Sequence, residues 1–169
     1  MVQPYSIRIV GDPVLRQKAA EVTDIDGKVA AIAEGMTHAL YEASGLAVAA
    51  PQVGVLKRIF VYDLHDDEGP KVIVNPTITE ASGEWVYDEG CLSVPGLSWE
   101  IVRPKEVHLT GWDLDGNEVS FDADELLARM FQHELDHLDG VLLLDRLEEE
   151  QRKEAKKAVR QLQMQRLDV

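Results

Sequence analysis

The chain has 169 residues, of which 45% are hydrophobic and 28% charged, and this ordinary globular composition predicts one domain over residues 1–169. A formal net charge of -14 at pH 7 argues against direct binding to nucleic acid or to an anionic membrane surface. No apolar run approaches a membrane span, the first residues lack a signal-peptide core, and the single cysteine excludes an internal disulfide, so we expect a protein of the reducing cytoplasm.

A helix is predicted in the first third of the chain. Apolar residues recur at helical spacing between residues 24 and 43, and Asp24 or Asp26 can cap the first turn. Gly45 is suited to end this helix, and the chain then runs through small residues to Gly54.

Gln52 is the one long polar side chain in this small-residue segment. Small side chains allow the backbone of a ligand or of a packed partner to come close. A buried glutamine needs hydrogen-bond partners, and the protein backbone could supply them in a purely structural role. Alternatively, the amide could donate to an oxyanion during a reaction. The residues alone do not decide between the two interpretations.

Strands are predicted in the middle of the chain. Mostly apolar segments over residues 58–63 and 71–76 are typical of strands, and a proline closes the second. Residues 99–112 and 119–121 flank Asp115-Gly116-Asn117, which predicts a hairpin turn.

Cys91 lies in a segment, residues 88–96, whose glycines and prolines predict a special turn rather than the interior of a strand. A lone cysteine is usually a small buried hydrophobic residue. It can also serve as a thiolate ligand for Zn²⁺ or Fe²⁺.

A second helix is predicted from about residue 124, with Asp122 or Asp124 as its N-cap and Gly140 as its stop. It carries the sequence Gln132-His133-Glu134-Leu135-Asp136-His137, which contains H-E-x-x-H. The two histidines continue the apolar side of the helix one turn apart, a spacing that lets both imidazoles reach one metal ion. Two buried histidines paired with carboxylates are the alternative.

A catalytic site built on H-E-x-x-H needs a third ligand and leaves one position open for water. Leu143 stands where one protease pattern has its third histidine, and Glu148, Glu149 and Glu150 come soon afterwards in what looks like an exposed helical turn. Neither supplies a convincing ligand. Cys91 is the simplest candidate, with Glu134 beside the site to handle a proton of water.

The tail, residues 147–167, predicts an amphipathic helix with a thin apolar stripe. Lys153, Lys156, Lys157 and Arg160 crowd its polar side, and the tail is the only stretch with a small basic surplus. A solvated helix packed on the domain is the simpler interpretation, and a basic contact surface is the alternative.

Three stretches together, residues 45–52, 89–93 and 132–137, resemble the three ordered motifs of the peptide deformylases. The resemblance implies an α+β fold in which antiparallel strands pack around a central metal-binding helix, followed by a C-terminal helix. It implies an enzyme that removes the formyl group from N-formylmethionine at the start of nascent polypeptides. The C-terminal helix of bacterial members is implicated in ribosome contact, so the ribosome is an expected partner.

The resemblance also implies roles for individual residues and for a metal. One ion of Fe²⁺ per chain is expected, and Zn²⁺, Ni²⁺ or Co²⁺ can take its place. The residues that match the family's ligands are Cys91, His133 and His137, and Glu134 matches its general acid/base. The groups that match those holding the formyl oxygen are Gln52 and the backbone N–H of Leu92. The positions that line or support the substrate cleft are Gly45, Leu46, Ala47 and Glu89, and an apolar pocket for the methionine side chain is expected from Leu126, Met130 and the region of Val48.

Two positions on this cleft call for a specific expectation. The first motif usually has glycine where this chain has Ala47, and the added methyl group could narrow the cleft or restrict the backbone there. Arg129 precedes His133 by one helical turn and could reach the cleft rim or bridge to an acidic residue, and we favour the bridge.

Overall fold

The computed structural model describes residues 5–168 and has the predicted α+β architecture. All strand pairs are antiparallel. The strands are β1 (Ala47–Ala49), β2 (Ile59–Tyr62), β3 (Lys71–Ser82), β4 (Trp85–Cys91), β5 (Val94–Arg103), β6 (Glu106–Trp112) and β7 (Glu118–Asp124). The helices are α1 (Gly27–Glu42), α2 (Glu125–Leu138) and α3 (Glu149–Leu167), and 3-10 turns form at Pro13–Arg16, Ala50–Val53 and Leu143–Arg146.

The main sheet has the strand order β1-β2-β3-β6-β7 and is covered on both faces. Successive side chains of a strand point to opposite faces. On β2, Phe60 therefore packs with Leu109 and Phe131 on the α2 side, whereas Val61 packs with Met36 on the α1 side. Burial of both faces explains why this strand is a continuous apolar run in the sequence.

Helix α2 is fixed on the sheet by an aromatic cluster and ends at a glycine. The Phe131 ring lies 5.5 Å from the Tyr62 ring and 5.9 Å from the Phe60 ring. Gly140 has φ +73°, and a Cβ there would lie 2.6 Å from the carbonyl oxygen of Arg16, so only glycine fits. This confirms the predicted stop of the helix.

The hairpin β4–β5 forms a separate two-stranded sheet that packs with the C-terminal part of the chain. Ile101 joins Leu143, Ala155 and Val159 in a third apolar cluster. The C-terminal helix is confirmed, and its buried residues belong to the predicted apolar stripe. Among residues 5–168, no helix combines the length and the apolar character needed to cross a bilayer.

One of two local predictions is wrong. Strand β3 does not stop at Pro76, because its ladder with β6 shifts register between Val74 and Thr77 and the strand continues beyond the proline. Cys91 lies at the start of the predicted special turn and not in the interior of a strand. It is the last residue of β4, at a register shift of the β4–β5 hairpin, and the tight turn follows it.

Two helix starts were left open by the sequence. Asp26 caps α1, since its carboxylate accepts hydrogen bonds from the N–H groups of Lys28 and Val29 at 3.0 and 3.2 Å. Asp124 occupies the N-cap position of α2 without a side-chain cap bond, and Asp122 instead bonds His108.

We expect Asp26→Ala to lower the free energy of unfolding by about 1 kcal/mol, because two N-terminal N–H groups of α1 lose their acceptor. Asp24→Ala is the matched control, since Asp24 is exposed and makes no cap bond, and it should stay within about 0.5 kcal/mol of the parent. Urea unfolding followed by circular dichroism measures both. Equal losses in the two variants would contradict the assignment of the cap.

Candidate metal centre

Cys91, His133 and His137 converge at one point between β4 and α2. Their ligand atoms all lie within 4.8 Å of one another. The Nε2 atoms of the two histidines are 3.1 Å apart, and Cys91 Sγ lies 3.3 Å from His137 Nε2. In a tetrahedral site with bonds of about 2.0–2.3 Å, ligand atoms stand roughly 3.4–3.7 Å apart, so small adjustments of these side chains would seat an ion.

The chemistry of these donors suits a divalent transition metal. One soft thiolate and two imidazoles match Fe²⁺ or Zn²⁺ better than Mg²⁺ or Ca²⁺. Burial alone would raise the pKa of the Cys91 thiol, but His137 and His133 beside it hold that pKa well below its ordinary value. Thiolate is the form of cysteine that binds metal. Three ligands leave one coordination position for water or substrate.

Glu89 orients the first histidine. Its Oε2 atom lies 3.1 Å from His133 Nδ1, which leaves Nε2 of that ring free to face the site. Arg103 donates two hydrogen bonds to the same carboxylate, at 2.9 and 2.8 Å. Burial opposes ionisation of Glu89, but the bonds from His133 and Arg103 outweigh it and hold the pKa of Glu89 below its usual range.

Arg129 bridges to an acidic residue, as we favoured from the sequence. Its Nη1 atom donates to Glu89 Oε1 at 2.9 Å, and Nη2 donates to the carbonyl oxygen of Trp85. The guanidinium lies 5.4 Å from the Trp85 ring and 5.7 Å from the Tyr87 ring. Arg129 is only 2% exposed, so its positive charge is directed to the ion pair with Glu89 and not to solvent. The residue also lines the cleft.

Glu134 faces the cleft from α2 and is poorly satisfied within the protein. It is 3% exposed, and its Oε2 atom has no hydrogen-bond partner among residues 5–168. A buried oxygen without a partner is costly, and such groups occur at functional sites more often than elsewhere. Burial raises the pKa of the Glu134 carboxyl. The free oxygen can therefore accept a proton from a molecule bound in the cleft.

Gln52 combines the two roles that the sequence left open. Its Oε1 atom accepts a hydrogen bond from the N–H of Ala49 at 2.9 Å, which is the structural role. Its Nε2 atom donates to Ser93 Oγ at 3.1 Å and lies 3.7 Å from Cys91 Sγ. The amino group thus lies beside Cys91, one of the three candidate ligands. In the turn after Cys91, the N–H of Leu92 donates to no acceptor within the described residues.

A cleft of about 740 Å³ opens over these groups. It contains most residues that the sequence placed at the site. His137 does not line it, and Val48 itself is fully buried against α1, whereas its neighbour Ala47 forms part of the cleft wall in this region. The predicted residues on the cleft wall are Gly45, Leu46, Ala47, Gln52, Glu89, Cys91, Leu92, Leu126, Met130, His133 and Glu134.

Three buried polar residues around the site were missed by sequence reasoning. Ser93 accepts from Gln52, and Arg103 joins Glu89 to Asp136. Asp136 had little signal of its own, because it falls on the side of α2 that also carries Arg129 and Gln132, where a polar residue is ordinary. Arg103 had none, since its partners are distant in sequence.

The comparisons with known proteins agree on one family. A sequence profile described as Polypeptide deformylase matches residues 4–153. The chain is 48% identical over 143 residues to a peptide deformylase of Agathobacter rectalis, covering 85% of this chain and 89% of that protein. It is 45% identical over 141 residues to one of Halothermothrix orenii, covering 83% and 92%. A crystal structure of a peptide deformylase from Legionella pneumophila superposes with a TM-score of 0.91, at 34% identity and 98% coverage of both chains.

We expect Cys91→Ser to weaken binding of Co²⁺ or Zn²⁺ by more than roughly a hundredfold, because a direct soft ligand is replaced by a neutral hydroxyl. Removal of a hydrogen bond that merely supports a ligand can already weaken metal binding by about a hundredfold. His38→Ala is the control, since that histidine is exposed on α1 and pairs with Glu42 of the same helix. Competition with a chromophoric chelator measures both affinities. A Cys91→Ser protein that holds metal as tightly as the parent would exclude the thiolate as a ligand.

Proposed function

The chain belongs to the polypeptide deformylase family, and we propose that Cys91, His133 and His137 hold the metal ion with which it acts. As a member of this family it is an enzyme that removes the formyl group from the N-terminal formylmethionine of polypeptides. The observation that carries the assignment of the site is the convergence of one thiolate and two imidazoles beneath a cleft lined by Glu134 and Gln52.

Fe²⁺ is the ion that we propose for the native enzyme, with Zn²⁺, Ni²⁺ or Co²⁺ as substitutes. The mixed sulfur and nitrogen donors support this set of metals. When bound, such an ion supplies Lewis acidity, which lowers the pKa of water and polarises a carbonyl oxygen. The remaining steps fall to side chains and backbone groups of the chain itself.

Glu134 moves the proton. Its unpartnered Oε2 atom accepts a proton from the attacking water as the water oxygen bonds to the formyl carbon. The same oxygen then gives the proton to the amine nitrogen as the carbon–nitrogen bond breaks. The products are formate and a polypeptide with a free N-terminal amine, so that one water molecule is consumed per turnover.

Gln52 and Leu92 hold the formyl oxygen as it gains negative charge. Gln52 Nε2 is fixed by the bonds of its own amide to Ala49 and Ser93, and the N–H of Leu92 in the adjacent turn has no acceptor within residues 5–168. Donors that are already oriented need no reorganisation during the reaction. Each contributes roughly 3 kcal/mol in comparable oxyanion sites.

The cleft wall supports binding of a methionine side chain and a short stretch of peptide. Leu126 and Met130 present an apolar surface on one side. On the other side, Gly45, Leu46 and Ala47 lead into β1, which is an edge strand of the main sheet. Ala47 lines the cleft at this edge and also packs against the aromatic cluster beneath α2.

We further propose that residues 1–169 act as one domain in the cytoplasm and that α3 contacts the ribosome. The basic side of α3 supports this contact, because the side chains concerned are exposed. They are Lys153, Lys156, Lys157 and Arg160. The rest of the chain is acidic, which argues against general binding to nucleic acid.

The proposed site is tested by release of formate from a formyl-Met tripeptide with enzyme loaded anaerobically with Fe²⁺. We expect Glu134→Gln to lower kcat by about 10²–10⁴-fold while the protein keeps its metal, because the amide has the same shape but cannot take the proton. Glu150→Gln changes an exposed glutamate of α3 and serves as the control.

Two results would contradict the proposal. One is full activity in metal-loaded Glu134→Gln protein, which would remove Glu134 from the reaction. The other is release of acetate from the acetyl-Met tripeptide at the same rate as formate, which would assign the cleft to a broader amidase.

A further inference from the structure

Asp136 is a buried carboxylate that the reaction does not use. It lies on α2 one residue before the ligand His137, and it is 9% exposed. It does not line the cleft, so it cannot touch a substrate there. Its hydrogen-bond partners are two guanidinium groups, those of Arg103 and Arg146.

Arg103 connects Asp136 to the metal centre. Its Nη1 atom donates to Asp136 Oδ2 at 2.9 Å, while Nε and Nη2 donate to the two oxygens of Glu89 at 2.9 and 2.8 Å. The guanidinium is planar and its donors are fixed in one fork, so a carboxylate at each end sets its orientation. Glu89 in turn bonds Nδ1 of His133.

Arg146 holds the outer side of Asp136. Its Nε and Nη2 atoms donate to the two oxygens of Asp136 at 3.0 and 2.6 Å. Arg146 ends the 3-10 turn Leu143–Arg146, whose leucines pack with Ile101 and α3. The seating of the C-terminal part of the chain therefore determines where this guanidinium lies.

The Asp136 carboxylate offsets part of the positive charge of this group. Arg103, Arg129 and Arg146 bring three positive charges, and Glu89 and Asp136 bring two negative ones. Loss of the Asp136 charge would leave three guanidinium groups with one carboxylate beside His133. That excess of positive charge opposes a bound cation, and it leaves Arg103 held at one end only.

From this geometry we propose that Asp136 is a positioning residue for the metal ligand His133, acting through Arg103 and Glu89, and that Arg146 makes this support depend on the docked C-terminal segment. The inference rests on the metal site proposed above. It adds that the affinity and geometry of that site are controlled from a position that touches neither the metal nor the substrate.

The test compares Asp136→Asn and Arg146→Gln with the parent protein, each titrated with Co²⁺ under anaerobic conditions. We expect Co²⁺ to bind about tenfold more weakly to Asp136→Asn and roughly threefold more weakly to Arg146→Gln, with shifted d–d absorption bands in both. Arg16→Ala is the control, because Arg16 pairs with Asp145 on the same 3-10 turn without contacting Asp136. Its affinity and spectrum should equal those of the parent.

A second comparison tests whether Asp136 acts on His133 through Arg103 and Glu89. If it does, adding Asp136→Asn to a Glu89→Gln variant should cause little further loss of Co²⁺ affinity, because the connection is already broken. Losses that multiply in the double variant would overturn the route. Thermal melting of the metal-free proteins shows which variants fold. If Asp136→Asn does not fold, the Co²⁺ affinity and spectrum of Arg146→Gln alone decide whether the positioning role holds.

The outcomes separate this inference from the proposed function. Parent-like Co²⁺ affinity and spectrum in every folded variant would overturn the positioning role while leaving the metal site intact. Failure of the parent protein itself to bind Co²⁺ would overturn the proposed site, and the positioning role with it.

Discussion

The neutralisation of Glu89 is the interaction on which the rest of the site depends. A carboxylate that is 5% exposed would be very costly unless it were paired, and here Arg103, Arg129 and His133 all reach it. These partners come from β5 and α2, while Glu89 comes from β4. One ion cluster thus fixes the hairpin against the helix and brings Cys91 to the two histidines.

The two sides of helix α2 have different roles, one in packing against the main sheet and the other in forming the site. Phe131 and Leu138 bury one side against the main sheet, where aromatic packing holds the helix firmly. The side facing the hairpin carries the ligands and Glu134. Because the sheet side is rigid, the unsatisfied oxygen of Glu134 is maintained in the cleft, and the cost of keeping it unpartnered is offset by packing elsewhere.

The parts of the structure that sequence could predict are those set by local spacing. Histidines four apart on an apolar helical face predict two candidate ligands, the need for a third makes Cys91 the natural candidate, and the structure brings the three side chains together. Arg103 could not be predicted, because its role arises from carboxylates on other elements brought close only by folding. The continuation of β3 past Pro76 was equally hidden, since a bulge absorbs the proline without a sequence signal of its own.

The central claim is that one thiolate and two imidazoles hold the ion. X-ray absorption at the metal edge of the Fe²⁺- or Co²⁺-loaded protein tests it most directly, because sulfur and nitrogen ligands differ in scattering and bond length. We predict one sulfur at about 2.3 Å together with nitrogen or oxygen ligands at about 2.0–2.2 Å. A first coordination shell without sulfur would exclude Cys91 as a ligand.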